Sequence, residues 1–410
     1  MHSHGDISHL ILLTGGVVIL TMLVKGSMER TLVPPLVGYM FLGIGLRWFS
    51  DMWPQYAEAG QTITFLGQLG LVALLFRVGV KSDITILVKQ LRNASLAWVL
   101  NVLLAGIAGY CLTVFLFGYG FISGLIVGAA FTATSVGVSV KIWENQNALN
   151  SKNGALLVDL AELDDVSAVV LMAIVFSIIP VLQAEGTSTL MSTLVSAGIG
   201  FAIKMFLFGA ACYVFAVFLE RPMTAFLNKV ESSPDSTLTI VGFGFVVAAL
   251  AGMIGFSLAI GAFFAGLVFS RDPQCISLDK AFIPIYDFFS PFFFVSIGYG
   301  MHVAAIVPSL EMGLLLSVVA IAVKVLGNGL PIAILNGLPS GTLIGMSMVP
   351  RAEIALVIMQ EGMNLGEWAV DQTLFGAMIM VSALTCLVSP MLVRVLLIRW
   401  PQGNSMTNGK

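Results

Sequence analysis

Charged residues are scarce in this chain of 410 residues: only 10% are Asp, Glu, Lys or Arg, whereas 58% are hydrophobic. An ordinary soluble domain has about a quarter of its residues charged, so the composition excludes a soluble globular fold. The net charge is only −3, which argues against a nucleic-acid partner. The four cysteines stand singly, without the spacing typical of a zinc site or a disulfide framework.

The hydrophobic residues come in blocks of about twenty, the length that a helix needs to cross the hydrocarbon core of a bilayer. We therefore predict an all-α membrane protein with thirteen transmembrane helices. The predicted spans are 7–25, 31–49, 62–80, 93–117, 121–142, 153–182, 190–219, 237–254, 256–270, 282–300, 309–332, 339–360 and 371–398.

The basic residues indicate how these spans are oriented. With the N-terminus outside, thirteen lysines and arginines fall in inner loops, and only Arg47 falls in an outer loop. We therefore expect a multi-pass protein in the lipid bilayer of the cell (inner) membrane, with its N-terminus outside and its C-terminus in the cytoplasm.

Four acids interrupt the sixth span: Asp159, Glu162, Asp164 and Asp165. An ionised carboxylate in an apolar helix has a large desolvation cost, which favours a functional role over a structural one. Asp164 and Asp165 are neighbours and point about 100° apart, so one can face a protein partner while the other faces a water-filled cavity. Asp159 and Glu162 lie nearer the inner end, where they could line a vestibule or be solvated.

Lys324 lies near the middle of the eleventh span and requires a carboxylate as counter-charge. Asp164 is a suitable partner. An adjacent pair of buried acids can hold either protons or a hard cation such as Na⁺, because burial and like-charge repulsion favour the protonated acids. The sequence therefore predicts cation/proton exchange at Asp164 and Asp165, without a cofactor, with Lys324 as a counter-charge that cation binding could release.

Polar and helix-breaking residues interrupt two further spans. They are Thr132, Thr134, Ser135 and Gly137 in the fifth span, and Pro350, Arg351 and Glu353 in the twelfth. Unwound backbone inside a membrane supplies carbonyl oxygens and helix ends to a small ion. The two breaks occupy the fifth place in spans 1–6 and in spans 8–13, which predicts two inverted six-helix repeats joined by span 7.

Six segments of the chain, taken in order, closely resemble the monovalent cation:proton antiporter-2 family, which includes bacterial Na⁺/H⁺ antiporters. They are residues 128–138, 164–165, 260–267, 291–298, 324–327 and 348–353. The resemblance implies that Asp165 is the principal ion and proton ligand, that Asp164 pairs with Lys324, and that Thr132 and Thr134 line the site. It also implies that Arg351 and Glu353 stabilise the crossing of the two broken helices.

The same resemblance implies a homodimer that works by an elevator-type movement and carries Na⁺, or alternatively Li⁺ or K⁺, against protons. The implied parts are dimerisation-domain helices 1–3 in 1–92 and 8–10 in 237–305, core-domain helices 4–6 in 93–182 and 11–13 in 306–400, linker helix 7 in 183–236, and a disordered tail in 401–410.

Two other transport functions remain open on sequence grounds. A K⁺ efflux system of the glutathione-regulated type shares much of the pattern, but such proteins carry a nucleotide-binding domain, which we do not expect here because the chain ends soon after the last span. A Na⁺-coupled organic-acid symporter would need a further polar cluster near the breaks. An aspartyl hydrolase would need two acids facing across a cleft, so we expect no enzyme activity.

Overall fold

The computed structural model describes residues 4–28, 31, 33–53, 59–82, 84–184, 200, 203–204, 206–219, 222–223, 235–270 and 275–402. Within these residues all regular secondary structure is helical. Most of the predicted tail, 403–410, and two parts of the predicted linker, 185–199 and 224–234, lie outside the described residues.

The helices follow the predicted spans in order, usually extending them by a few residues. They are α1 (His4–Met28), α2 (Pro35–Met52), α3 (Ala59–Lys81), α4 (Ile84–Cys111), α5 (Phe121–Thr132), α6 (Val136–Asn145), α7 (Lys152–Ala184), α8 (Phe206–Leu219), α9 (Asp235–Met253), α10 (Leu258–Phe269), α11 (Cys275–Gly300), α12 (Ile306–Lys324), α13 (Leu330–Asn336), α14 (Leu338–Ser347), α15 (Glu353–Leu365) and α16 (Gln372–Arg399).

Seven helical stretches among the described residues are long and apolar enough to cross a membrane. They are Ser8–Met28, Gly60–Lys81, Ser95–Leu116, Phe121–Asn145, Phe282–Gly300, Val303–Asn336 and Gln372–Arg399. The α7 helix is also long, with 33 residues, but it carries the four acids. The chain is thus a multi-pass helical membrane protein.

The fifth and twelfth predicted spans are each broken into two helices. Residues 133–135 separate α5 from α6, and Ala133 is extended, with φ −62° and ψ 145°. Residues 348–352 separate α14 from α15 around Pro350, which has no amide hydrogen to continue a helix. A π-helical turn, Val325–Gly329, also follows Lys324 and joins α12 to α13.

The chain divides into two compact units. The first consists of Met1–Gly67, Leu87–Ala168 and Phe294–Lys410, and the second of Gln68–Ile86 and Val169–Phe293. The functional division into core and dimerisation helices remains a prediction.

A reciprocal pair of glycines marks one helix crossing in each unit. In the first unit, a Cβ on Gly43 of α2 or on Gly298 of α11 would overlap the backbone of the facing helix. In the second unit, the same holds for Gly79 of α3 and Gly266 of α10. Small residues at such crossings allow two helix backbones to touch, which gives close packing in a membrane.

Candidate functional site

The site is built around an ion pair buried in the first unit. Lys324 Nζ lies 2.9 Å from Asp164 Oδ2, and both side chains are 0% exposed. An unpaired charge at this depth would have a large desolvation cost, and the opposite charge offsets part of it. The structure thus brings together the lysine of the eleventh predicted span and the first aspartate of the sixth.

Asp164 receives further hydrogen bonds from two other helices. Asn101 of α4 donates from Nδ2 to both carboxylate oxygens, at 3.0 and 2.9 Å. Thr134, in the break between α5 and α6, donates its hydroxyl to Oδ2 at 2.6 Å. In each contact a hydrogen-bond donor points at a carboxylate oxygen of Asp164, which is the arrangement that an ionised carboxylate requires.

Lys324 also contacts the C-terminal end of α5. Its ammonium donates to the backbone oxygen of Thr132 at 2.8 Å and to the Thr134 hydroxyl at 2.5 Å. The last carbonyls of a helix have no partner within the helix and carry partial negative charge, so a cation is favourable there. The Thr132 side chain itself turns away and donates to Ala129 O at 2.8 Å, so only the backbone of Thr132 faces the lysine.

Asp165 has very different surroundings from Asp164. It is partly exposed, whereas Asp164 is fully buried, and no hydrogen bond or ion pair joins it to any residue that the structure describes. The charges that act on it are those of Glu353, Asp164, Lys324 and Glu162. Its carboxylate oxygens are therefore available to a ligand.

Asp159 and Glu162 are also partly exposed and lie about two turns and one turn, respectively, before Asp165 on α7. Successive steps of three residues keep all three acids on neighbouring parts of one helix face. Together they form an acidic strip between the beginning of α7 and Asp165.

Arg351 fixes the second break to the end of α5. Its guanidinium is 0% exposed and donates to Phe131 O at 3.1 and 3.3 Å and to Ala320 O of α12 at 3.1 Å. It also lies 5.0 Å from the centre of the Phe131 ring. Its backbone amide donates to Thr385 of α16 at 3.2 Å. The arginine thus satisfies a helix end that the break leaves open.

Glu353 fixes the same break to the beginning of α6. It accepts a hydrogen bond of 2.5 Å from the hydroxyl of Ser135, the residue before α6. The amide of Ser135 donates to Pro350 O at 2.7 Å, so the two breaks are also joined through their backbones. Gly137 makes no comparable contact: it is exposed, and a Cβ there would meet open space.

Further hydrogen bonds hold the end of α14. Ser139 of α6 donates to Ser347 O at 2.6 Å, and Trp143 donates from its ring nitrogen to the Ser347 hydroxyl at 2.9 Å. Ser389 of α16 donates to Met346 O at 2.7 Å. The Ser139 contact satisfies a carbonyl group at the end of α14. The Ser389 contact adds a second donor to Met346 O, which also accepts from the amide of Val349.

Asn101 and Thr385 belong to this network, although the sequence reasoning did not select them. The signal for Asn101 was weak: it is one neutral amide within the apolar run of the fourth span. Its importance follows from its two bonds to Asp164, which only the folded arrangement reveals.

A second polar contact lies in the loop between α4 and α5, outside the spanning helices. The Tyr119 hydroxyl donates to the Asp371 carboxylate at 3.1 and 3.2 Å. Asp371 also accepts from the amide of Leu374 at 2.7 Å and so caps α16. Burial raises the pKa of Tyr119 above its ordinary value, and the Asp371 charge raises it further.

Comparisons with known proteins point to one family. A family model described as "Sodium/hydrogen exchanger, transmembrane" matches residues 16–399. The chain is 26% identical over 351 residues to the high-affinity Na⁺/H⁺ antiporter NhaS3 of Synechocystis sp., covering 83% of this chain and 74% of that protein. It is 28% identical over 376 residues to the Na⁺/H⁺-K⁺ antiporter GerN of Bacillus cereus, covering 88% and 89%.

The fold is also similar to a solved structure, that of the sodium proton antiporter MjNhaP1 from Methanocaldococcus jannaschii at pH 8. The TM-score is 0.66 at 16% sequence identity, and the match covers 96% of this chain and 97% of the other. The likeness therefore extends over nearly the whole fold.

Proposed function

We propose, since this chain belongs to the sodium/hydrogen exchanger family, that its partly exposed Asp165 is where a monovalent cation and a proton compete. Membership makes the chain a membrane antiporter for monovalent cations and protons, and not an enzyme.

The unequal surroundings of the two neighbouring aspartates are the observation that carries this proposal. Asp164 already accepts hydrogen bonds from Asn101, Thr134 and Lys324, whereas Asp165 accepts none from the described residues. Asp165 can therefore exchange a proton for a cation without breaking a hydrogen bond to any of the described residues. Asp164 supplies a second carboxylate once Lys324 withdraws, and the Thr132 and Thr134 oxygens lie beside it.

We propose an elevator-type movement of a core domain made of predicted spans 4–6 and 11–13. Every one of these spans contributes to the hydrogen-bonded network around the ion pair. The contributors, in chain order, are Asn101, Thr134, Asp164, Lys324, Arg351 and Thr385. A site whose ligands are joined in this way can move as one body, which is what alternating access requires.

The two glycine crossings support the proposed inverted repeats. One joins predicted span 2 to span 10, and the other joins span 3 to span 9. If spans 1–3 correspond to spans 8–10, the first crossing is the counterpart of the second. From the likeness to the family we also propose thirteen spans in the inner membrane, with the N-terminus outside and the C-terminus in the cytoplasm. We further propose a homodimer that forms through spans 1–3 and 8–10.

Na⁺ is the cation that we propose first, and K⁺ is the second candidate. The relative from Synechocystis is named as a Na⁺/H⁺ antiporter, and the relative from Bacillus cereus as one that also involves K⁺. We propose that Asp159 and Glu162 line the inner vestibule, where their negative charge raises the local concentration of either cation.

The test is cation-driven pH change in proteoliposomes, scanning Na⁺, Li⁺ and K⁺ with and without a clamped membrane potential. Asp165→Asn should abolish the exchange without lowering the melting temperature, because Asp165 has no hydrogen bond or ion pair with the described residues to lose. Glu144→Gln, which neutralises an exposed acid near the end of α6 outside the proposed ion path, serves as the control and should retain exchange. Full exchange by Asp165→Asn would show that the ions bind elsewhere.

A further inference from the structure

Two buried asparagines beside the ion pair have polar atoms without hydrogen-bond partners among the described residues. They are Oδ1 of Asn101 and both side-chain polar atoms of Asn328. Both residues are 0% exposed. A buried amide that bonds to nothing is costly, so such a group in a functional region calls for an explanation.

The fold places one of these amides against Asp164 and the other about one turn after Lys324 in the chain. Asn328 lies four residues after Lys324 in the π-helical turn Val325–Gly329, where one turn is longer than four residues, so both side chains lie along one face. Gly327 packs directly on α4, since a Cβ there would lie 2.7 Å from Asn101 Cα. Asn101 in turn contacts Asp164, the partner of the lysine.

During cation exchange the Lys324 ammonium loses one hydrogen-bond acceptor, and the amide oxygens of the two asparagines can replace it. An ammonium has three hydrogen-bond donors, and Lys324 uses them on Thr132 O, Thr134 Oγ1 and Asp164 Oδ2. When a cation takes the Asp164 oxygens, one donor of a fully buried ammonium loses its acceptor. A charged group at that depth cannot be left unpaired.

We propose that Asn328, together with Asn101, provides a second binding position for the Lys324 ammonium. In this view the amide oxygens of both asparagines accept the ammonium when cation binding displaces it from Asp164. Lys324 thereby keeps its proton and stays buried throughout the cycle. Asn328 is a positioning residue, because it contacts the lysine and not the transported ion. This inference rests on the proposed exchange at Asp164 and Asp165.

A substitution of Asn328 should affect the stability of the cation-free protein and its affinity for the cation differently. In the state that the structure describes, the Asn328 side chain makes no hydrogen bond to the described part of the chain, so an apolar residue of similar size should be tolerated or even stabilising. In the cation-bound state, the same substitution removes an acceptor of the ammonium. A purely structural residue would show the opposite pattern, with loss of stability and no specific effect on cation affinity.

The experiment compares Asn328→Leu with the wild type in proteoliposomes and in a thermal melt. The expected result is a melting temperature at or above that of the wild type and a KM for Na⁺ raised about tenfold, the equivalent of one hydrogen bond to a charged group. The maximal rate should change less than KM. Asn328→Ser keeps an acceptor oxygen and should bring KM back to within about threefold of the wild type.

Ser382→Ala is the matched control, because the Ser382 hydroxyl is also buried and unpaired among the described residues but lies on α16. It should leave KM unchanged. An unchanged KM in Asn328→Leu would overturn the proposal, and so would failure of this variant to fold, since that would assign Asn328 a role in the resting state. If KM is unchanged in Asn328→Leu and Asp165→Asn also transports normally, the proposed function itself fails. If KM is unchanged in Asn328→Leu and Asp165→Asn is inactive, only the proposed second binding position fails.

Discussion

Replacing Lys324 by methionine should destabilise the protein strongly, because it leaves the Asp164 carboxylate buried without its counter-charge. Removing one partner of a buried ion pair typically costs about 3–5 kcal/mol. The entropy of unfolding is about 2 cal/mol/K per residue, so over this chain 1 kcal/mol corresponds to roughly 1 °C. The apparent melting temperature should therefore fall by about 4–6 °C.

The double variant Lys324→Met/Asp164→Asn tests the physical reason. It removes both charges, and the new amide can still bond to Asn101 and Thr134. Replacing a buried pair by neutral groups is often close to neutral for stability, so the melting temperature should return to within about 2 °C of the wild type.

The assay is a thermal melt of purified protein at one fixed heating rate, because membrane proteins often unfold irreversibly. Equal melting temperatures for the double variant and Lys324→Met would refute the reasoning. That result would mean that the lysine stabilises the protein through contacts other than its charge on Asp164.

Three further predictions concern the surroundings of the site. Glu353→Gln keeps an acceptor for Ser135 and should melt within about 1 °C of the wild type, whereas Glu353→Ala should lose about 1–3 °C, measured by the same melt. Gly266→Val should prevent folding because the new side chain meets helix backbone, while Gly242→Val, where a Cβ meets nothing, should elute as a single peak in size-exclusion chromatography. Tyr119→Phe should melt slightly below the wild type up to about pH 10, where unfolded tyrosine begins to ionise, and the difference should shrink at higher pH because the pKa of folded Tyr119 is raised; a difference that does not change with pH would contradict this.

The charged members of the site could be predicted because charge is conspicuous in a membrane sequence. Asp164 and Lys324 each stand in an apolar run where an isolated charge is too costly, so energetics predicts that Lys324 pairs with an acid of the sixth span. The choice of Asp164 among these acids comes from the family resemblance, and the structure shows this pair. The different orientations of Asp164 and Asp165 follow from helical geometry, and the structure finds one buried and the other partly exposed.

The neutral members could not be predicted in the same way. Single amides and hydroxyl groups occur in many spanning helices, so Asn101 and Asn328 give no signal until the fold sets them beside the ion pair. The contacts of Arg351 are a similar case. Its sequence neighbour Glu353 is the obvious partner, yet the arginine bonds to carbonyl groups of Phe131 and Ala320, because the open end of α5 is nearby only in three dimensions.

The glycine crossings in the two units have a mechanical consequence. Where two backbones touch directly, no side chain lies between them to change its rotamer and absorb a displacement. Sliding one helix along the other would force its larger residues into the contact, so each crossing resists translation but allows a small change of angle about the glycines. Helices that cross at such a contact can rotate slightly about the glycines while the contact itself is kept.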